Sequence, residues 1–447
     1  MNETRLGRGL LFTGLLVLLV LFFVSGAGAV PSFKRQTGMS CTACHTVFPE
    51  LTPFGRNFKV NGYVFSNNTK PFAERIPISA MVQVSYSEQK GLTNRVNPFD
   101  DSPTAKFNIP QQASIFYAGK IAGNFGAFSQ LTYSGVDNSI SLDNTDIRYA
   151  NNMDIGGTPL VYGLTVNNNP TVSDPWNTTP AWVFPFSASP VAVTPAAGTI
   201  IDGTLAQQVG GVGIYALWNH LLYAEFDVYG STNRGIARPL GAGTTTDTVV
   251  SGAAPYGRLA LQHQWGAHSF EVGTYGMVAE IYPSGLTGGS TDRFTDYAFD
   301  GQYQFLTGKH LFTAQGTWIH EKQDWDASYP LGNTANSSNN LETWKVNLQY
   351  HYRADIGTLG GTVAYFSTTG DSDSVLYAPG PVTGSSTGSP NSSGFILQAA
   401  YLPLENLKLV AQYVIYDKFN GSSTNYDGSG RDASDNNTLY LLVWMMF

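Results

Sequence analysis

The sequence predicts an all-β protein, a transmembrane outer-membrane β-barrel of about sixteen antiparallel strands with a short N-terminal helical or irregular plug. Three observations predict this fold class. Apolar and polar residues alternate along segments of strand length, the connections between these segments alternate between long and short, and the chain ends on an apolar strand face. No second long apolar run follows the N-terminal one, and the mean hydropathy is −0.11, which excludes a membrane protein built from helices.

The strand prediction rests on a period of two. In WKVNLQYHYR at 344–353, apolar or aromatic residues alternate with polar ones, and LYAEFDVYG at 222–230 and ISAMVQVSY at 78–86 do the same. This period is typical of a strand with one apolar and one polar face. The predicted strands are 78–86, 112–121, 125–134, 144–150, 159–167, 206–218, 221–230, 255–265, 268–279, 294–306, 309–320, 342–354, 358–368, 393–402, 406–416 and 436–447.

The connections favour a membrane barrel over other β folds. The tight turns are Gly123-Asn124, Asn219-His220, Gly266-Ala267, Thr307-Gly308 and Asp355-Ile356-Gly357. The long connections, rich in Ser, Thr, Asn, Gly and Asp, include 87–111, 168–205, 369–392 and 417–435. Short periplasmic turns, long outer loops and an even number of strands are the pattern of outer-membrane barrels. The alternative, a soluble β-sandwich or β-helix, has no reason to alternate its loop lengths.

The last segment, TLYLLVWMMF, places alternate residues from Leu439 to Phe447 on one apolar face. A final strand that ends in Phe is typical of barrels inserted into the outer membrane. An even strand number then places the C-terminus in the periplasm.

The N-terminus predicts export from the cytoplasm. Arg5 and Arg8 precede an apolar run at 10–24, and Ala27-Gly28-Ala29 supplies a small-residue cleavage pattern. We therefore expect residues 1–29 to be a secretory signal peptide, and the alternative is a permanent membrane anchor. The net charge of −8 argues against a nucleic-acid partner, which would require clustered Lys and Arg.

The chain has two cysteines, and both lie in GMSCTACHTVFPE at 38–50. Cys41, Cys44 and His45 form the Cys-x-x-Cys-His motif, which predicts covalent attachment of one c-type haem. The two thiols would tether the porphyrin, and the imidazole of His45 would ligate the iron. A thioredoxin-type disulfide would need a βαβ context, and structural zinc would need a second pair of ligands.

Residues 30–75 are too few for an independent cytochrome, so we expect them to form a haem-bearing plug inside the barrel of 76–447. Four apolar side chains are candidates to pack on the porphyrin or, equally, to pack the plug itself: Phe48, Leu51, Phe54 and Phe58. Three basic side chains could pair with the haem propionates or simply face the lumen: Arg35, Arg56 and Lys59.

PSFKRQTGMSCTACHTVFPELTPFGRNFKVNGY at 31–63 resembles the N-terminal signature of the fused monohaem cytochrome–porin family of bacterial outer membranes, which includes ferrous-iron oxidases. The stretches at 166–182 and 436–447 are also similar to members of this family. The resemblance implies a haem held by Cys41, Cys44 and His45. It also implies an extracellular donor, Fe(II) foremost, and a periplasmic electron carrier such as a soluble cytochrome.

Other functions stay open, because the family includes members whose donor is not iron. One alternative is a solute porin with a haem-bearing plug, and another is electron export to an extracellular acceptor. Several acids on predicted outer loops are weak candidates for cation binding: Asp100, Asp101, Asp324, Asp326, Asp371 and Asp373. Asp146, Arg148, Glu225 and Asp227 are expected to face the lumen and form its polar network.

The sixth iron ligand is also open. Met39 is too close to Cys41 to reach the far side of the iron. Met81, His320 and His351 lie on predicted strands and could reach inward, whereas His220, His268 and His310 adjoin short turns and are expected to be remote.

Overall fold

The computed structural model describes residues 32–64, 76–90, 104–231, 248–283 and 286–447. The predicted signal peptide and the predicted cation-binding pair Asp100-Asp101 lie outside these residues. Within the described ranges, no helix is long and apolar enough to cross a bilayer.

The wall of the molecule is a closed barrel of sixteen antiparallel strands. The strands are β1 Ile78–Gln89, β2 Thr104–Ala122, β3 Phe125–Ser134, β4 Ser139–Ile155, β5 Thr158–Asn167, β6 Val209–Trp218, β7 Leu222–Ser231, β8 Ala254–Trp265, β9 His268–Ile281, β10 Asp292–Leu306, β11 His310–Asp324, β12 Ser338–Ala354, β13 Gly357–Gly370, β14 Ser392–Leu404, β15 Leu407–Lys418 and β16 Thr438–Met446.

Each strand pairs with its neighbours in sequence, and β1 pairs with β16, with Val84 opposite Val443. Closure leaves no unpaired strand edge, which a strand in lipid could not tolerate. The predicted fold class is confirmed, and each of the sixteen predicted segments lies on a strand. Most strands extend beyond the predicted segments, most of all β2 (Thr104–Ala122) and β4 (Ser139–Ile155).

The apolar face of each strand points outward. On β12, Trp344 and Leu348 are 47% and 52% exposed, whereas Asn347 and Gln349 between and beside them are buried at 2% and 3%. The same arrangement holds on β7, where Phe226 is exposed and Asp227 is buried. An apolar outer band over a closed barrel is the surface that outer-membrane barrels present to lipid. The chain is therefore an outer-membrane barrel whose outer wall contacts lipid, as predicted.

The short connections all lie at one end of the barrel. The predicted tight turns are found between β2 and β3, β6 and β7, β8 and β9, β10 and β11, and β12 and β13. This end is periplasmic by the usual orientation of such barrels. At the opposite end the connections are longer, except that β3 and β4 are joined by only 135–138.

Two segments fill the lumen. The first, here called the plug, is residues 32–64, with helices α1 Ser32–Thr37, α2 Cys41–Cys44 and α3 Pro53–Val60. The second, here called the inner loop, is residues 168–208 between β5 and β6. Residues 168–179 of this loop are all buried.

The plug and the inner loop share one core. Val60 of the plug packs in a cluster with Trp176 of the inner loop and with Tyr215 and Tyr223 of the wall. Short helical segments at Ile200–Thr204 and Ala433–Asn436 lie in loops at the outer end. The inner loop was predicted as an outer loop, and its ionic contacts to the wall, described below, explain why it turns inward.

Candidate functional site

The Cys-x-x-Cys-His motif forms one compact helical turn. Cys41 and Cys44 begin and end α2, and the backbone N–H of His45 donates to the carbonyl oxygen of Cys41 over 2.9 Å. Residues three apart share a face of a helical turn, so both thiols lie on one side of α2. His45 then leaves the helix in an extended conformation (φ −121°, ψ 139°). The turn therefore places two thiols and one imidazole within five residues of chain.

The imidazole of His45 is fixed by its own loop. Its Nδ1 lies 3.3 Å from the carbonyl oxygens of Pro49 and Glu50. A carbonyl oxygen can only accept, so Nδ1 carries the proton and Nε2 keeps its lone pair. Burial also lowers the pKa of His45, which favours the neutral ring. A neutral ring whose other nitrogen donates to a carbonyl is the arrangement expected of a metal-ligating histidine.

Both thiols are partly buried and protonated. Burial, and then the neighbouring Cys41, raises the pKa of Cys44 to about 11. Burial, and then the charge of Glu405, raises the pKa of Cys41. Redox-active Cys-x-x-Cys pairs have the opposite property, a lowered thiol pKa. The environment of the motif therefore argues against a thioredoxin-type role.

Helix α3 supports the motif from behind. The hydroxyl of Thr52 accepts from the N–H of Gly55 over 3.1 Å and donates to the carbonyl of Ala43 over 2.7 Å. The N–H of Thr52 also donates to the carbonyl of Cys44 over 2.9 Å. A Cβ at Gly55 would collide with that same Cys44 carbonyl. Thr52 thus caps α3 and ties it to α2, and Gly55 allows the two helices to approach closely.

We expect Gly55→Ala to displace α2 from α3, because backbone atoms of Cys44 cannot move aside as a flexible side chain would. The measurement is the rate of maleimide labelling of Cys41 and Cys44 in refolded, haem-free protein, which should rise several-fold. The matched control is Gly308→Ala, since a Cβ at Gly308 meets nothing within 4 Å. Equal labelling rates in the two variants would contradict the proposed close contact.

The loop after the motif is bound to the barrel wall. The carboxylate of Glu50 accepts from Gln349 Nε2 over 3.1 Å and from the hydroxyl of Thr313 over 3.3 Å. Lys408 Nζ donates to the carbonyl of Phe48 over 3.1 Å. The ring of Phe48 packs edge-on against Trp444 at 5.3 Å. These contacts fix the motif against β11, β12, β15 and β16.

The motif lies towards the short-turn end of the barrel. The N–H of Cys41 donates to Glu405 Oε2 over 3.2 Å, and Lys34 forms an ion pair with the same carboxylate at 3.2 Å. Glu405 is in the two-residue turn between β14 and β15. The two cysteines therefore sit near the periplasmic opening.

The predicted basic partners of the haem propionates bind protein groups. Arg56 donates to Gln302, Gln304 and Ser269 over 2.8, 2.6 and 3.0 Å. Lys59 donates to the carbonyls of Val172 and Asp174 in the inner loop, and Arg35 donates to backbone carbonyls at 76 and 78. These side chains anchor the plug to the wall and the inner loop, a role that neither interpretation of the sequence predicted.

The predicted aromatic residues lie in three different environments: within the plug, against the wall and partly exposed. Phe58 packs edge-on against Phe33 at 5.0 Å, and Phe48 lies on Trp444. Phe54 is 38% exposed.

The candidates for the second iron ligand differ in whether they face the lumen or the outer surface of the barrel. The prediction that His320 could reach inward is wrong, because its ring lies on the outer wall 4.7 Å from Tyr297. Met81 and His351 do face inward, and each is 3% exposed. His220, His268 and His310 lie at short turns, as expected.

The predicted cation-binding acids on the outer loops do not converge. Asp373 is buried and accepts from the backbone N–H groups of Ala335 and Asn336, so it joins two loops. Asp324 pairs with Lys322 at 2.9 Å, and Asp371 accepts from Asn340. Across the described ranges, no group of three or more His, Cys, Asp or Glu is arranged to hold a metal ion.

A buried charge network holds the inner loop and was not identified from the sequence. Arg258 on β8 forms ion pairs with Asp300 at 2.6 Å, Glu271 at 3.3 Å and Asp174 at 3.4 Å. Asp174 belongs to the inner loop, and the other three residues belong to the wall. The available signal was that all three wall residues occupy the inward phase of their strands.

A second pair behaves as predicted. Asp146 and Arg148 face the lumen, and Arg148 Nε lies 2.8 Å from Asp146 Oδ2. Glu225 and Asp227 also face the lumen. Tyr63 of the plug donates to Asp146 over 2.6 Å, and Arg148 donates to the carbonyl of Ser173 in the inner loop over 2.6 Å. This pair therefore joins the wall to both lumen segments.

The sequence matches no protein-family model and no curated protein. The solved structures similar to it include outer-membrane proteins. They include the channel DcaP of Acinetobacter baumannii (13% identity, TM-score 0.46, covering 83% of this chain and 96% of that one). An anion-selective porin from Comamonas acidovorans has 10% identity and a TM-score of 0.44, covering 83% and 98%. OmpT of Vibrio cholerae has 10% identity and a TM-score of 0.42, covering 83% and 97%.

Proposed function

We propose that this chain is an outer-membrane electron conduit. One c-type haem, attached to Cys41 and Cys44 and ligated by His45, would accept electrons from an extracellular donor and deliver them to a periplasmic carrier. The resemblance of residues 31–63 to cytochrome–porin proteins favours Fe(II) as the donor, which would make the protein an iron oxidase. The observation that carries the proposal is a Cys-x-x-Cys-His turn held inside a barrel that spans the membrane.

The residues of the motif fit the proposed group. The thiols share one face of α2, and both cysteines are free rather than joined in a disulfide, as addition to a vinyl group requires. The Nδ1–H of His45 donates to the carbonyls of Pro49 and Glu50, so Nε2 is the nitrogen available to a metal. A bound c-type haem supplies a one-electron iron couple. The chain holds it through covalent tethers and a pre-oriented ligand.

The placement of the motif suits transfer to the periplasm. The apolar band of an outer-membrane barrel is about 25 Å tall, which a soluble protein carrier does not cross. Cys41 contacts Glu405 in a short turn, so a periplasmic carrier docked at that opening would approach the motif closely. The plug and the inner loop occupy the lumen on the path from the outer end. A lumen occupied in this way disfavours the passage of solutes.

The test is anaerobic titration of the detergent-purified protein with Fe(II), with the protein matured in a host that attaches c-type haem. We expect the ferric visible spectrum to convert to sharp ferrous c-type bands. Conversion only by a strong reductant such as dithionite would contradict Fe(II) oxidation and favour electron export. Protein without haem bands would overturn the conduit altogether, and solute conductance in planar bilayers would then support the porin alternative.

A further inference from the structure

We infer that His351 on β12 would supply a second ligand to the iron of the proposed haem, an inference that rests on the proposed haem function. His351 faces the lumen and is 3% exposed. Its Nε2 is buried and has no hydrogen-bond partner among the described residues. Buried polar nitrogens are normally paired, because an unpaired one has lost its water without compensation. A metal ion at Nε2 would supply the missing partner.

A short series of contacts joins His351 to the motif. Glu50 accepts from His45 Nδ1 through its backbone carbonyl and from Gln349 through its carboxylate. Gln349 and His351 are two residues apart on the same face of β12, which is about 7 Å along a strand. Glu50 therefore joins the loop that carries His45 to the inward face of β12 that carries His351.

A glycine makes room for the His351 ring. Gly360 on β13 lies directly opposite His351 in the register, and a Cβ at Gly360 would collide with the Cγ and Cδ2 atoms of that ring. The ring therefore leans over β13, on the side of the barrel where β14 and β15 follow. That side carries Glu405, which contacts Cys41, and Lys408, which contacts Phe48. The ring and the wall contacts of the motif therefore lie on neighbouring strands of the barrel.

The other candidate iron ligands make contacts that account for their positions without a metal ion. Met81 packs in an apolar cluster with Val47, Phe48 and Trp444, and a thioether buried in this way needs no polar partner. The remaining wall histidines lie against aromatic rings, with centroids 4.7–5.6 Å apart; they are His263, His268, His310 and His320. Among the described residues, His351 is the wall histidine that faces the lumen.

The test compares the haem-loaded protein with His351→Leu and His351→Met by visible, near-infrared and EPR spectroscopy. The wild-type ferric protein should be low-spin with two imidazole ligands. His351→Leu should become high-spin and, once reduced, bind carbon monoxide. His351→Met should show the charge-transfer band of methionine ligation and a more positive midpoint potential, because methionine in place of histidine raises it.

Two controls make the result specific. Met81→Leu and His320→Leu should leave the spin state unchanged, while Gly360→Ala should yield a partly high-spin protein by moving the ring. Heat-modifiable migration on gels confirms that each variant forms the barrel. Methionine ligation in the wild type, or a low-spin His351→Leu that does not bind carbon monoxide, would overturn the assignment and leave the conduit standing. Wild-type protein without haem would overturn both.

Discussion

Replacing Cys41 and Cys44 together by serine is expected to abolish covalently attached haem and leave the barrel intact. The serine hydroxyl does not form a thioether, and sixteen strands close the wall independently of α2. The measurement is haem staining of the denatured protein on a gel, where non-covalent haem is lost. The stain should disappear in the double variant, and each single variant should lose part of it.

The control lies inside the same turn. Thr42 sits between the cysteines, and its hydroxyl contacts that of Ser40 at 2.8 Å on the exposed side. Thr42→Ala should therefore retain full staining. If the double serine variant still carried covalent haem, Cys41 and Cys44 would not be the attachment site.

The second large effect is expected from Arg258→Met. This change leaves the buried acids Asp300, Glu271 and Asp174 without their shared cation, and breaking a buried ion pair costs roughly 3–5 kcal/mol. Because Asp174 is the only one of these acids on the inner loop, we expect that loop to leave the lumen. Single-channel conductance in planar bilayers should rise several-fold and the thermal unfolding temperature should fall.

Acid should weaken the ion pair between Asp174 of the inner loop and Arg258 of the wall. Burial alone would raise the pKa of Asp174, but Arg258 and the backbone N–H groups of Trp176 and Thr179 outweigh it and hold the pKa below its ordinary value. The Asp174 carboxylate therefore contributes its full stabilisation of the folded state at pH values above its unfolded-state pKa of about 3.9. This contribution is lost as the pH falls through the lower folded-state pKa.

Arg293→Met is the matched control, because Arg293 is an exposed arginine on β10. It should change neither conductance nor unfolding temperature. If Arg258→Met conducts no better than Arg293→Met, the network does not hold the inner loop in place.

The alternation of single residues was sufficient to predict the wall. On β12, Tyr350 and Tyr352 set the outward phase, so His351 between them had to face inward, and it does. The same rule was available for His320, which is in phase with the outward Trp318. The alternation therefore places His320 on the outer face, which contradicts the prediction that it could reach inward.

The path of the inner loop could not be predicted in this way. Its composition is polar like that of the other long connections, and local propensity does not distinguish a loop outside the barrel from one inside. Its position depends on contacts between residues far apart in sequence, such as Asp174 with Arg258 and the Asp174 carbonyl with Lys59. Likewise, the sequence does not show that Arg56 and Lys59 donate hydrogen bonds to groups of the wall and the inner loop. From the sequence alone they were therefore candidates to pair with the haem propionates.

The attachment of the plug to the last strands has a consequence for assembly. Phe48 lies against Trp444 of β16 and accepts from Lys408 of β15, while Gln36 donates to Ala118 of β2. The strands on both sides of the β1–β16 seam therefore bind the plug, which precedes every strand of the barrel in the sequence. We therefore expect the wall to close around a plug already in place, and the proposed haem would then be attached to the open chain in the periplasm, before the seam closes.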